Sequence, residues 1–242
     1  MKKPKMILFD YGQTLANERQ FDGVKGTRAV MEYAVSNPHG YTAGQVQAVA
    51  DQLNRELGRF DRTAKHKEQI EVPNQMFTAY LYESMGIELS LTHDRLDRVF
   101  WDAAAPAVPT RGIETFLDWL AEQGIRTGVI SNISYCPQAV KKRIEELLPH
   151  NRFEFIMATS AYMFRKPNRR IFELALEKAG LEPGEVWYVG DSYECDVQGA
   201  RNAGLFPVWY TGASEAPEPS DDGVLRINEW SELEEYISAC EQ

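Results

Sequence analysis

Met6-Ile7-Leu8-Phe9-Asp10-Tyr11-Gly12-Gln13-Thr14 is an apolar tetrad running straight into a carboxylate and a turn. Four apolar residues bounded by polar ones read as a short strand covered on both faces. Val186-Trp187-Tyr188-Val189 repeats the arrangement, leading into Gly190-Asp191-Ser192-Tyr193-Glu194-Cys195-Asp196. In an open parallel sheet, ligands bind beyond the carboxyl ends of the strands. If both runs belong to one such sheet, Asp10, Asp191 and Asp196 converge. Clustered carboxylates repel one another unless a cation sits among them, and an all-oxygen donor set suits Mg²⁺. Gly12, which has no side chain two places after the first Asp, is the odd detail of the set.

Further strands are expected at Arg126–Ser131, Phe155–Thr159 and Pro207–Tyr210, with the first over Lys5–Asp10 and the fourth over Val186–Val189. Helical patterns lie between them. Ile113–Gln123 stops at Gly124, Gln138–Leu148 follows Pro137 at a helix start, Asn168–Ala179 stops at Gly180, and Asp196–Ala203 stops at Gly204. Alternating strand and helix predicts an α/β fold with right-handed crossovers. Residues 18–109 break the alternation and read as helices only, over Val24–Ser36, Ala43–Phe60, Val72–Met85 and Thr92–Ala104. The expectation is a catalytic core of residues 1–17 and 110–242 with a helical insert of residues 18–109. Ala213–Gly223 reads as a surface loop and Trp230–Cys240 as a closing amphipathic helix.

The chain has 242 residues, 43% of them hydrophobic, enough for a sizeable core. A net charge of -10 argues against nucleic acid or an anionic membrane surface as the main partner. Cys136, Cys195 and Cys240 lack metal-ligand spacing and suggest reduced thiols, hence a cytoplasmic protein. The apolar run before Asp10 is too short for a signal peptide, and no run approaches the roughly 20 residues that span a bilayer.

Four motifs now stand in order: Asp10 and Thr14 after the first strand, Ile130-Ser131-Asn132 after the next, Arg165-Lys166-Pro167 before a helix, and Gly190-Asp191 with Asp196 after a later strand. The chain resembles the haloacid dehalogenase-like hydrolase superfamily, and the insert resembles its C1-type cap. The resemblance implies a Rossmann-like doubly wound core and an Mg²⁺-dependent phosphatase acting on a small phosphorylated metabolite. In that likeness Asp10 is the nucleophile that forms an aspartyl-phosphate. Asp191 is a direct metal ligand and Asp196 a supporting carboxylate. Lys166 neutralises the charge of nucleophile and phosphoryl group. Ser131 and the amide of Asn132 hold a phosphoryl oxygen. Gly12 joins the metal through its carbonyl, and Thr14 supports the loop by bonding locally.

Phosphatases of the family normally carry a second Asp at the position of Gly12, where it protonates the leaving group and then activates water. Loss of such a general acid/base costs about 10²–10⁴-fold. Three explanations compete: a substitute acid or an undemanding leaving group, C–P bond cleavage on a phosphonate through a cap lysine, or lost turnover in a phosphate- or metal-binding protein. Lys25, Lys65 and Lys67 are the lysines to try for imine formation. Dehalogenation ranks low, because the family's dehalogenases lack the carboxylate that Asp191 retains. The insert is expected to close over the crevice on hinges near Thr14–Gly23 and Ala105–Gly112. The charged loop Asp61–Ile70, with Arg62, Lys65, His66 and Lys67, reads better as solvated than as an anion site. Phe77, Tyr80 and Tyr82 read as bundle core. Substrate identity and oligomeric state are not written in the sequence.

Overall fold

The computed structural model describes residues 2–18, 20–59, 70–213, 221 and 223–241. The chain opens with β1 (Met6–Phe9) and the short β2 (Ala16–Glu18), then enters the insert: α1 (Gly23–Met31), β3 (Ala34–Ser36), α2 (Ala43–Glu56), α3 (Asn74–Ser84), β4 (Glu88–Leu89) and α4 (His93–Ala104). It returns through β5 (Ala107–Pro109) to α5 (Ile113–Glu122), β6 (Arg126–Ser131), α6 (Pro137–Leu147), β7 (Phe153–Ala158), α7 (Arg169–Ala179) and β8 (Val186–Gly190). A π-helical turn, Tyr193–Gln198, runs into α8 (Gly199–Asn202), followed by β9 (Phe206–Tyr210), β10 (Leu225–Ile227) and α9 (Trp230–Ser238).

Six strands form one sheet in the order β10-β9-β8-β1-β6-β7, with every pair parallel. The chain builds outward from β1 on one side and then crosses to the other, so the topological switch lies at β1. That is where a ligand crevice opens in a doubly wound sheet. Alternation along β1 divides the core. Ile7 and Phe9 pack with Phe116, Leu120, Ile144 and Trp230 on one face. Met6 and Leu8 pack with Ile171, Phe172, Leu176 and Ala200 on the other. Both faces are covered, which is why these strands read as unbroken apolar runs.

The insert has its own core of Val30, Val46, Phe77, Leu81, Tyr82, Ile87 and Leu96. It leaves and rejoins the sheet through β2 and β5, which pair antiparallel, Ala16 with Pro109 and Glu18 with Ala107. The insert is not helical throughout. β3 and β4 form a two-stranded ribbon where a helix through Ser36 was expected. Tyr33 explains the difference: its carbonyl accepts from the Ser90 N–H at 3.0 Å and the Ser90 hydroxyl at 3.1 Å, drawing the chain out of the helix. Phe77 and Tyr82 are core residues as expected, but Tyr80 is 62% exposed. The charged loop of residues 61–70 and the loop of residues 213–223 fall largely outside the described residues. β10 was not anticipated, since three residues after such a loop carry no pattern. Among the described residues, no helix is long and apolar enough to cross a membrane.

Candidate active site

β1, β6 and β8 run in register, so their carboxyl ends are level. Phe9 pairs with both Val129 and Val189, which sets Asp10, Ser131 and Asp191 around one rim. Asp10 anchors there by donating its N–H to the Val189 carbonyl at 2.8 Å. Asp196 reaches the same rim by folding back over the end of β8. Gly190 makes this possible, because a Cβ at that position would lie inside the Asp196 carboxyl group. Ser192 caps the following turn, accepting from the Cys195 N–H at 3.2 Å. Asp196 is thereby left to face the crevice, accepting from the Ser192 N–H at 2.9 Å through Oδ2.

Lys166 lies at the centre and is 2% exposed. Its ammonium donates to Asp10 Oδ1, Asp196 Oδ1 and the Tyr188 hydroxyl, each at 2.6 Å. Tyr188 in turn donates to the Ile130 carbonyl at 3.1 Å. The ammonium thus spends all three protons on three acceptors. Asp10, Asp191 and Asp196 each place a carboxylate oxygen within 4.8 Å of the others. Burial, the largest cause, raises Asp10 to about 6, and Asp196 adds to it while Lys166 opposes. Burial and the charges of Asp10 and Asp196 push Asp191 up to about 8. Burial alone would lower Lys166, but Asp10, Asp196 and Tyr188 outweigh it and hold the ammonium well above its ordinary range. Three carboxylates against one ammonium leave an excess of negative charge. A small divalent cation with a preference for oxygen fits that donor set, with Asp10 and Asp191 as the side chains to hold it.

The remaining expected residues divide. Ser131 is buried at the end of β6. Asn132 grips the Lys166 segment with its side chain: Nδ2 donates to the Lys166 carbonyl at 2.9 Å, and Oδ1 accepts from the Lys166 N–H at 2.8 Å. Thr14 is fully buried and its carbonyl accepts from the Thr110 hydroxyl at 2.7 Å, but its own hydroxyl has no hydrogen-bond partner among the described residues. Thr110 lies 96 residues away in the sequence, so the local bond expected of Thr14 is not seen among the described residues. Gly12 makes a bridge to Ala16, and a Cβ placed on it meets nothing within 4 Å. Neither sterics nor a left-handed backbone demands glycine here. Lys25 is exposed and lies 3.9 Å from Asp22, while Lys65 and Lys67 fall outside the described residues.

Sequence reading missed Tyr188, although a tyrosine in a wholly buried strand must find a partner for its hydroxyl. It also missed Arg143, whose Nε donates to the Tyr11 hydroxyl at 2.9 Å. Nothing in the pattern of a polar helix marks that arginine as buried.

A family model described as haloacid dehalogenase-like hydrolase matches residues 4–204. The mouse haloacid dehalogenase-like hydrolase domain-containing protein 3 is 31% identical over 134 residues, covering 53% of this chain and 49% of that protein. The chain thus spans about half the length of the first curated relatives it matches. Pyrimidine 5'-nucleotidase YjjG of Escherichia coli (strain K12) is 27% identical over 238 residues, 96% of each chain. The crystal structure of an HAD phosphatase from Thermococcus onnurineus superposes with a TM-score of 0.66 over 99% of both chains at 23% identity, a likeness of fold.

Proposed function

This chain belongs to the haloacid dehalogenase-like hydrolases, and from that premise we propose that it is an Mg²⁺-dependent phosphatase of small phosphorylated metabolites, working through an aspartyl-phosphate on Asp10. The observation that carries the reading is the shared ammonium of Lys166, 2.6 Å from both Asp10 and Asp196, with Asp191 beside them. With its carboxyl at about 6, Asp10 is mostly ionised at neutral pH and competent as a nucleophile. Its free oxygen attacks phosphorus, the bond from phosphorus to the leaving oxygen breaks, and the leaving group takes the electron pair. Water then cleaves the aspartyl-phosphate, releasing phosphate and restoring the carboxylate. Lys166 offsets the charge of nucleophile and phosphoryl oxygens throughout, and the Ser131 hydroxyl with the Asn132 amide receives one of those oxygens. Asp10, Asp191 and the Gly12 carbonyl would hold Mg²⁺, which when bound supplies Lewis-acid stabilisation of the phosphoryl oxygens. Residues 18–109 act as the cap that excludes water and selects the substrate.

The Escherichia coli relative is named a pyrimidine 5'-nucleotidase, so nucleoside monophosphates head the substrate screen. Steady hydrolysis of p-nitrophenyl phosphate or acetyl phosphate that stops on chelation and returns with Mg²⁺ is the expected result. Hydrolysis indifferent to chelation would refute the metal-assisted reading. A second reading, a phosphate- or metal-binding protein with weak turnover, draws on the open space at Gly12. A Cβ at that position would meet nothing within 4 Å, and the chain places no side chain there.

A further inference from the structure

Glu71 has no part in the mechanism above, yet its side chain is 0% exposed. A buried carboxylate is costly unless paired. Both oxygens of Glu71 are hydrogen-bonded to groups outside the insert, while Arg59 of the insert adds a positive charge nearby. Oε1 accepts from Arg165 Nη1 at 3.1 Å, and Oε2 accepts from the Thr159 hydroxyl at 2.7 Å. The main chain adds to this: the Glu71 N–H donates to the Met163 carbonyl at 2.6 Å, and Ile70 bridges Phe164. Met163 stands at φ +54. That left-handed conformation is costly for a side chain of this kind and persists only where neighbours impose it. Thr159 also accepts from the Ile133 N–H at 3.0 Å. One insert carboxylate therefore ties the loop after β6, which begins at Asn132 next to Ser131, to the segment that ends in Lys166. From the opposite side, Asn132 clamps the Lys166 backbone.

We infer that Glu71 is a positioning residue: seated against Arg165 and Thr159, it locks residues 163–165 and so sets Lys166 Nζ against Asp10. Cap placement and charge on the nucleophile become one event. Withdrawal of the insert would strip Arg165 of its carboxylate and release the left-handed turn at Met163, loosening the lysine. The inference rests on the phosphatase reading for its catalytic consequence, but the restraint on residues 163–166 stands apart from it.

The test compares wild type with Glu71→Gln, Arg165→Met and the double variant, reading kcat and KM on p-nitrophenyl phosphate with Mg²⁺, Tm, and amide hydrogen exchange across residues 160–168. Glutamine keeps the size and the acceptor for Thr159 but loses the charge. We expect Glu71→Gln to lower kcat about 10- to 100-fold, as small misplacements of catalytic groups do, with KM moved less than about threefold. Exchange at residues 163–166 speeds up, and the double variant is no worse than either single one. Unchanged kcat with unchanged exchange would overturn the inference. So would losses that add in the double variant and follow a lowered Tm. If wild type turns over no phosphate ester, the phosphatase reading fails, and the exchange data alone decide whether Glu71 restrains the segment.

Discussion

Two buried cations flank the dipeptide Asp10-Tyr11, and they are built to opposite ends. Lys166 faces Asp10, Asp196 and Tyr188, with Asp191 close by. Arg143 in α6 sits over the Trp101 ring at 4.2 Å and donates to Tyr11, to Asp102 at 2.5 Å and to the Ala105 carbonyl, with Glu18 at 3.3 Å. Around Arg143 the charges come nearer to closing: Arg143 meets Glu18 and Asp102, and Arg98 shares Asp102 at 2.9 Å and takes Glu146 at 2.5 Å, three carboxylates against two guanidiniums. Its partners Glu18 and Ala105 stand where the chain enters and leaves the insert, so the planar fork fastens both connecting segments to α6. Around Lys166 the charges do not close. Burial raises the affinity for protons at Asp10 and Asp191, and the neighbouring carboxylates add to it; burial raises Glu18 beside Arg143 as well. A balanced cluster holds a fold together, whereas an unbalanced one awaits a ligand.

The sharpest break between the two is expected from their removal. Lys166→Met should cost activity about 10³–10⁵-fold, the range for a cation serving phosphoryl transfer. Arg143→Met should lower stability by about 3–5 kcal/mol, as loss of one partner from a buried charge network does, yet change kcat by about tenfold or less. Thermal melts beside steady-state kinetics separate the two. Equal losses of kcat at equal Tm would erase the distinction.

Gly12→Asp sharpens the account of the unbalanced centre. A Cβ at position 12 meets nothing within 4 Å, and a gain of about 10²–10⁴-fold on alkyl phosphates is expected if an acid/base is what the site lacks. An unchanged rate would show that this reaction needs no proton from that side.

A further prediction concerns pH. The pKa values of Asp10 and Asp191 rise on folding from 3.8 to about 6 and about 8. Acids raised on folding bind protons more tightly in the native state, so their contribution is full below about pH 4. It is lost as pH rises through about 6 and then about 8. The metal-free protein should therefore melt lower at pH 8 than at pH 5, and Asp191→Asn should reduce the drop. Millimolar Mg²⁺ should raise Tm more at pH 8 than at pH 5. A Tm indifferent to Mg²⁺ at both pH values would count against a cation site.

The unbalanced centre was legible in the chain and the balanced one was not, for a physical reason. Asp10, Ser131 and Asp191 follow short apolar runs, and a parallel sheet in register turns such positions into neighbours. Lys166 was found by its place in an ordered set of motifs. Tyr188, Arg143 and Glu71 act through side chains reaching across 22, 132 and 94 residues of sequence to their partners. No local period records such a distance. The same holds in the insert, where β3 exists because Ser90 bonds Tyr33. Tyr80 shows the converse: the helix pattern places this aromatic in the core, and the face it occupies points outward.

The claim beneath all of this is that Asp10 is the group that becomes phosphorylated. Acid-quenched protein, sampled during turnover of p-nitrophenyl phosphate with Mg²⁺ and digested for mass spectrometry, measures it directly. A phosphoryl adduct is expected on the peptide containing Asp10, absent after chelation and absent in Asp10→Asn, whose turnover falls below detection. Full activity in Asp10→Asn, or an adduct that persists when that carboxylate is removed, would contradict it.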